Sequence, residues 1–191
     1  MNDSWSLEAT RTALVAIDMQ KGILGMSTQP RDPVSVLANA VKLAEAFREK
    51  GGLVVLVRVD SRDGKDMLRP VADAAVPHRG PRPKDWSVIA PELGPQEVDH
   101  VVTKHQWGAF YGTDLDLQLR RRGINTVVLC GISTNIGVEM TAREAYQHNY
   151  QQIFAVDAMA AMTAEEHDHT CRFIFPRIGR IRSTEEIVEA L

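Results

Sequence analysis

Short apolar runs recur along the chain, and the residues between them follow a helical spacing. The runs span residues 12–17, 53–57, 100–103, 126–130 and 152–156. Each is continuous rather than alternating and is rich in β-branched residues, which is the pattern of strands buried on both faces. This pattern predicts a parallel sheet covered by helices.

The segments between the runs carry helix signals. One helix is predicted to begin after Asp32, a plausible N-cap with Pro33 at the first helical position, and to stop at Gly51-Gly52. Further helices are predicted over residues 113–122, 135–148 and 164–173 and from Thr184, with a last strand near 178–182. The alternation predicts right-handed crossovers in a three-layer α/β/α sandwich with a mostly parallel, Rossmann-like central sheet.

Residues 61–95 break this rhythm because six of the nine prolines fall there. Long irregular segments inside compact domains are usually functional lids or disordered, and Trp86 and Val88-Ile89 indicate that this one packs against something. No linker is long enough to divide the chain, so residues 1–191 are predicted to form a single domain.

Composition and charge narrow the class of protein. The values of 44% hydrophobic and 25% charged residues are ordinary for a globular domain. A net charge of -3 offers no general attraction to nucleic acid or anionic lipid. Since no apolar stretch approaches the roughly 20 residues of a membrane span, and the N-terminus lacks a signal-peptide pattern, we expect a cytoplasmic protein.

The residues that follow the predicted strands are candidates for chemistry, because ligands of open α/β sheets bind beyond the carboxyl ends of the strands. Asp18, Asp60, Lys104, residues 131–135 and Asp157 follow strands one to five. Asp18 and Lys104 would form a paired acid and base at the rim. A solvated strand end or a helix cap is the alternative for either residue alone.

Residues 131–137 join a buried strand to a helix through small polar residues. Such a turn presents backbone N–H groups to an anion at a helix N-terminus. An ordinary turn in which Ser133, Thr134 or Asn135 caps the helix is equally compatible with the local sequence.

Three stretches in the right order resemble the isochorismatase-like, or cysteine hydrolase, superfamily over essentially the whole chain. They are TALVAIDMQKGIL, VTKHQWGAFYGTDLDLQLRRRGINTVVLCGISTNIGVEMTAREA and FAVDAMAAMTAEEH. The resemblance implies a parallel sheet flanked by helices, assembly into homodimers or higher homo-oligomers, and a catalytic Asp, Lys and Cys. Asp18 and Lys104 match the first two.

The chain departs from the superfamily pattern at the nucleophile, where Gly137 stands in place of the cysteine. Amidases of the superfamily need that thiolate, whereas true isochorismatases also carry a small residue there and cleave a vinyl ether with the aspartate as proton donor. The analogy implies that Asp18 protonates the substrate. Lys104 should lower the pKa of a neighbouring aspartate, whereas burial or the approach of an anionic substrate would raise it, and the sequence leaves open which effect prevails. Rival hypotheses are a ligand-binding protein without turnover and thiol chemistry through Cys130. Cys130 and Cys171 are both expected to be free thiols.

The resemblance also implies the remaining site residues. A non-proline cis peptide between Ile132 and Ser133 would orient the loop amides toward an anion. Candidates for the substrate pocket are Gln20, Trp86, Trp107, Phe110 and Asn135.

No cofactor or catalytic zinc is expected. The metal-binding relatives keep a histidine close after the aspartate that follows the second strand, whereas this chain has Asp60 followed by Arg62. The pair His167 and His169 is predicted to lie on a solvated helix face. The expected partner is therefore a small, anionic substrate molecule.

Overall fold

The computed structural model describes residues 5–68, 70–73 and 82–191, and its six strands form one parallel sheet in the order β3-β2-β1-β4-β5-β6. The strands are β1 (Thr12–Ile17), β2 (Leu53–Val59), β3 (His100–Lys104), β4 (Thr126–Ile132), β5 (Gln151–Ala160) and β6 (Arg180–Arg182). The helices are α1 (Lys21–Leu24), α2 (Pro33–Glu49), α3 (Leu115–Arg121), α4 (Glu139–Gln147), α5 (Ala164–His169), α6 (Phe175–Ile178) and α7 (Thr184–Ala190). The predicted α/β class with a parallel sheet is confirmed.

Strand β1 lies at the centre of the sheet, and all six of its residues are buried. Its side chains alternate between two apolar cores: Val15 and Ile17 belong to one, and Leu14 and Ala16 to the other. Strands covered on both faces require continuous rather than alternating apolar sequence. This is the physical basis of the run at 12–17.

Helix α2 forms as its sequence predicts. The Asp32 carboxylate accepts a hydrogen bond from the Ser35 N–H at 3.0 Å, and Pro33 occupies the first turn, where its missing N–H is not needed. The helix ends before Gly51, whose φ of +69° lies in the left-handed region that glycine adopts without steric cost.

Strand β5 is longer than predicted, and this changes the role of Asp157. The strand continues to Ala160 through an irregularity in its pairing with β4, so Asp157 lies within the strand rather than beyond it. Its carboxylate accepts hydrogen bonds from the Thr184 N–H at 2.8 Å and hydroxyl at 2.9 Å. Asp157 therefore fixes the start of α7 and is not at the strand end.

Two predicted helices contain a wider turn. The helix predicted from residue 135 starts with a π-helical turn, Thr134–Val138, before α4, and the one predicted over 164–173 is interrupted by a second such turn, Thr170–Ile174. Single π-helical turns inside helices are frequent at functional sites.

The proline-rich segment contains no regular strand or helix in its described part, and Pro77 and Pro81 lie outside the described residues. As predicted, Ile89 packs in the core, and it forms an antiparallel bridge with Gln20. No helix within the described ranges is long and apolar enough to cross a membrane.

Candidate active site

Asp18 sets the backbone turn at the end of β1. Its φ is +54°, in the left-handed region that aspartate enters more readily than most residues. The Asp18 N–H donates to the Val57 carbonyl at 2.9 Å, and its own carbonyl accepts from the Gln20 N–H at 2.8 Å. These bonds hold the carboxylate at the carboxyl edge of the sheet.

Lys104, the last residue of β3, reaches Asp18 across the end of β2, which lies between the two strands. Its Nζ donates to Asp18 Oδ2 at 2.8 Å and to the Gln106 carbonyl at 3.2 Å. The Lys104 and Asp18 side chains are only 2% and 8% exposed. The two residues that the sequence paired are thus in direct contact, and the pair is buried rather than solvated.

Two opposing effects act on the pKa of the Asp18 carboxyl. Burial raises the pKa of its carboxyl, and this effect outweighs the charge and hydrogen bond of Lys104, which lower it. The second carboxylate oxygen, Oδ1, is buried and has no hydrogen-bond partner among the described residues. An ionised oxygen in that position would be costly. Of the two opposing effects that the sequence left open, desolvation by burial therefore outweighs the charge of Lys104.

Gly137 lies beside this pair, in the π-helical turn after β4. A Cβ atom placed on Gly137 would be 3.2 Å from Asp18 Oδ2 and 3.1 Å from Ile17 Cγ2. Position 137 therefore faces the carboxylate directly. The structure brings together the three positions at which the resemblance places the catalytic group.

The loop between β4 and Gly137 is tightly folded. The peptide bond between Ile132 and Ser133 is cis. The Ser133 hydroxyl donates to Asn135 Oδ1 at 2.7 Å, and the Ser133 carbonyl accepts from the N–H groups of Ile136 and Val138 at 3.2 Å each. The N–H groups of Ile136 and Val138 are thus already hydrogen-bonded within the loop, and Asn135 holds the Ser133 side chain.

Gly131 allows β4 to approach β1 next to the site. Its φ is +124°, and a Cβ on it would lie 2.1 Å from the Ile17 carbonyl oxygen. An L side chain fits neither the backbone conformation nor the space. The glycine is required for the close contact that puts the loop after β4 against Asp18.

The aromatic candidates are separated in space. The Trp86 ring packs on Gly22, where an added Cβ would lie 2.0 Å from the ring, so it covers helix α1. Trp107 is 64% exposed, and its carbonyl oxygen lies 3.6 Å from the Cβ position of Gly137. The backbone of Trp107 thus lies beside position 137, whereas its side chain is largely exposed.

Two other pocket candidates are placed elsewhere. Phe110 is buried in the core, where its ring lies 5.7 Å from that of Tyr150, so its position does not support a pocket wall. Gln20 is completely buried, and its side-chain amide bonds to both the N–H and carbonyl of Val59 and to the Trp86 carbonyl. The side-chain amide of Gln20 has no free atom for a substrate, because its oxygen and nitrogen both bond the backbone of Val59 or Trp86.

His167 is not on a solvated face, as was predicted for both histidines. It is 4% exposed, whereas His169 is exposed. Its Nδ1 lies 2.8 Å from the Thr134 hydroxyl oxygen, and its Nε2 lies 3.5 Å from Cys171 Sγ. The burial of His167 depends on the packing of α5 against Thr134, which the residues around His167 do not indicate.

Helix α4 holds the loop after Lys104 through contacts that the sequence pattern did not predict. Glu144 accepts from the Phe110 N–H at 3.0 Å, and the Thr141 hydroxyl accepts from the Ala109 N–H at 3.2 Å. A Cβ on Gly108 would lie 2.2 Å from the Glu144 carboxylate. The glycine at position 108, which makes room for the Glu144 carboxylate, is the feature of the sequence that reflects this contact.

Comparison with known proteins decides the family. The model of the isochorismatase domain matches residues 12–186. The chain belongs to the isochorismatase family. The family protein YwoC of Bacillus subtilis is 53% identical over 190 residues, which cover 99% of this chain and 98% of that protein. The solved structure of a family protein from Burkholderia thailandensis has 43% identity and a TM-score of 0.91, covering 98% of each chain.

More distant members of the isochorismatase family include a protein named for the activity. The isochorismatase of Bacillus subtilis is 28% identical over 189 residues, covering 98% of this chain and 60% of that protein. The fold of this chain is therefore an isochorismatase fold, with hydrolase activity as the general property of the family.

In this isochorismatase-family chain, neither thiol is activated. Burial raises the pKa of Cys130 to about 12, with Asp157 adding to the effect. Burial likewise raises the pKa of Cys171 to about 12, with a further contribution from Asp168. Since the thiolate is the nucleophilic form, both cysteines are free but poorly reactive.

Asp60 lines a surface cleft at the carboxyl end of β2. Asp60 follows β2, its carbonyl lies 2.7 Å from His105 Nδ1, and Arg62 lines the same surface cleft. No group of three or more His, Cys, Asp or Glu side chains suited to a metal ion occurs in the described part of the chain.

Proposed function

We propose that this isochorismatase-family chain hydrolyses a small, anionic enol ether, with Asp18 as general acid and without a covalent thiol intermediate. The observation that carries the proposal is the buried Asp18 carboxyl, whose pKa is raised and which faces Gly137 rather than a nucleophile. A carboxylic acid that stays protonated above its ordinary pH range is what proton donation to carbon requires.

The proposed reaction begins with proton transfer from Asp18 to the terminal carbon of the enol ether. The electrons of the carbon–carbon double bond form the new C–H bond, which leaves an oxocarbenium ion. Water adds to its electrophilic carbon and returns a proton to Asp18. The hemiketal then breaks its C–O bond to release an alcohol and a ketone, so that the net reaction consumes one water.

Lys104 supports this reaction through its charge and position. Its Nζ contacts only one of the two Asp18 oxygens, so the acid keeps one oxygen for the proton. An ammonium group beside a neutral acid carries one net positive charge in a buried site, which favours an anionic substrate. Because Gly137 has no side chain, the position beside Asp18 Oδ2 holds no nucleophile, and water must supply the oxygen that adds to the oxocarbenium ion.

A ligand-binding protein without turnover is the second candidate, and the missing nucleophile at Gly137 favours it. Such a protein would keep the same arrangement of Asp18, Lys104 and Gly137, so ligand binding alone does not distinguish a binding protein from an enzyme. Thiol catalysis has less support, because burial raises the pKa values of Cys130 and Cys171 to about 12. A homo-oligomeric state and a cytoplasmic location remain predictions.

The test is turnover of a panel containing isochorismate, nicotinamide and N-carbamoyl and ureido acids, with products identified by mass spectrometry. Asp18→Asn removes the acid with little change in shape, and Glu49→Gln is the control at an exposed carboxylate near the end of α2. We expect product from isochorismate or another enol ether, retained in Glu49→Gln and reduced about 10²–10⁴-fold in Asp18→Asn. Binding of isochorismate without product from any compound would instead support the second candidate.

A further inference from the structure

A buried hydrogen bond connects the loop that carries Gly137 to helix α5. The Thr134 side chain is fully buried, its hydroxyl oxygen lies 2.8 Å from His167 Nδ1, and His167 is 4% exposed. Thr134 follows Ser133 directly and precedes Gly137 by three residues. The contact therefore acts on the segment that faces Asp18, although the proposed chemistry does not use His167.

The helix that carries His167 is itself fixed in place. The Thr163 hydroxyl accepts from the Glu166 N–H, and the Glu166 carboxylate accepts from the Thr163 N–H, so a complete capping box begins α5. Beyond α5, the Thr170 hydroxyl donates to the Glu139 carboxylate at 2.6 Å. His167 thus projects from a short, well-anchored element onto Thr134.

We propose that His167 is a positioning residue that holds Thr134, and through it Gly137 and Ser133, at the correct distance from Asp18. The proposal rests on the proposed function for its effect on turnover, but the bond itself is independent of substrate. Without it, a buried hydroxyl and a buried ring nitrogen would both lose their partner, and the π-helical turn would be free to shift. Displacements of about 1 Å at a reacting centre can cost about 10²-fold in rate.

The chain offers matched variants. Thr134→Val keeps the shape of the side chain and removes the hydroxyl, whereas Thr134→Ser keeps the hydroxyl. Thr184→Val is the control, since Thr184 is also buried and its hydroxyl also bonds a side chain, that of Asp157, but neither residue adjoins the loop. His167→Asn keeps a hydrogen-bonding group near the position of Nδ1, and His167→Leu removes it.

The first readout is amide hydrogen exchange of residues 133–138 in the free protein, which needs no substrate. We expect exchange to be about tenfold faster in Thr134→Val and His167→Leu, and close to wild type in Thr134→Ser, His167→Asn and Thr184→Val. Equal exchange in all variants, or the same increase in Thr184→Val, would overturn the proposal.

The second readout is steady-state kinetics with whichever panel compound the wild type converts. Thr134→Val should lower kcat about tenfold or more with little change in KM, and Thr134→Ser should restore it. A similar loss of kcat in Thr184→Val would overturn the proposal, because the loss of any buried hydroxyl would then have the same effect. If the wild type converts nothing, the proposed function fails, while the exchange measurement still decides the role of His167.

Discussion

Two buried ion pairs in this chain are built differently. Arg48 and Asp99 form a bidentate pair, with Nε to Oδ1 at 3.1 Å and Nη2 to Oδ2 at 2.7 Å, and Asp99 Oδ2 also accepts from the Gln96 N–H. Asp18 and Lys104 share a single hydrogen bond, and Asp18 Oδ1 has no partner among the described residues.

The difference in hydrogen bonding fits a structural role for Arg48 and Asp99 and the proposed catalytic role for Asp18 and Lys104. Arg48 Nη2 also donates to the Leu93 carbonyl, so the first pair fastens the end of the proline-rich segment to α2 with every carboxylate oxygen occupied. A buried pair with complete hydrogen bonding has little left to offer a ligand. The incomplete bonding of Asp18 leaves Oδ1 without a partner among the described residues, as the proposed proton transfer requires.

The largest expected effect comes from removing the cation of each pair. Arg48→Met leaves Asp99 buried and unpaired, and should lower the free energy of unfolding by about 3–5 kcal/mol in urea titrations. Lys104→Met should cost much less stability, because Asp18 can remain neutral, but should reduce turnover about 100-fold. Equal losses of stability in the two variants would show that Asp18 is ionised in the folded protein.

The pH dependence of turnover sharpens the difference further. Asp18 donates its proton only below its pKa, which burial raises above the ordinary value of 3.8, so kcat should fall as the pH rises through that raised pKa. Lys104→Met removes the opposing charge, and the residual activity should therefore fall at a higher pH than in the wild type. A kcat that increases with pH would mean that Asp18 acts as a base.

A smaller effect is expected at His167. Burial and the charge of Arg31 lower its pKa below the ordinary 6.5, against the effect of Asp168. A group with a lowered pKa in the folded state contributes stability above its unfolded pKa and loses it as the pH falls through the folded one. Stability should thus decline below about pH 6.5, and less steeply in His167→Asn. His169→Asn, at an exposed site on the same helix, should follow the wild type.

The smallest effect should come from thiol reagents. Because burial raises the pKa values of Cys130 and Cys171 to about 12, iodoacetamide at neutral pH should label the native protein slowly and leave turnover unchanged. Mass spectrometry of the intact protein measures the labelling alongside the assay. Inactivation in step with labelling of Cys130 would restore the thiol hypothesis.

The sequence predicted those features that depend on local pattern. The apolar run of β1, the cap at Asp32 and the strand ends at Asp18 and Lys104 are visible because each is determined by burial or by a single turn. The contact between Asp18 and Lys104 also followed, since parallel strands place their carboxyl ends on one edge.

The features that escaped prediction depend on how separate elements dock. The burial of His167 requires α5 to lie against Thr134, and the core position of Phe110 requires α4 to hold the loop after Lys104. The sign of the Asp18 pKa shift depends on how completely the surrounding elements exclude water. None of these features follows from spacing along the chain, because each depends on contacts between groups that are far apart in sequence.

The close packing around Gly137 also bears on how such a site can change in evolution. A Cβ there would lie 3.1 Å from the Ile17 methyl and 3.2 Å from the Asp18 carboxylate, so these neighbours would have to move by a few tenths of an ångström. A change such as Ile17→Leu, which removes the branched methyl, would relieve the closer of the two contacts. The residue at position 17 therefore influences how readily a cysteine could be accepted at position 137.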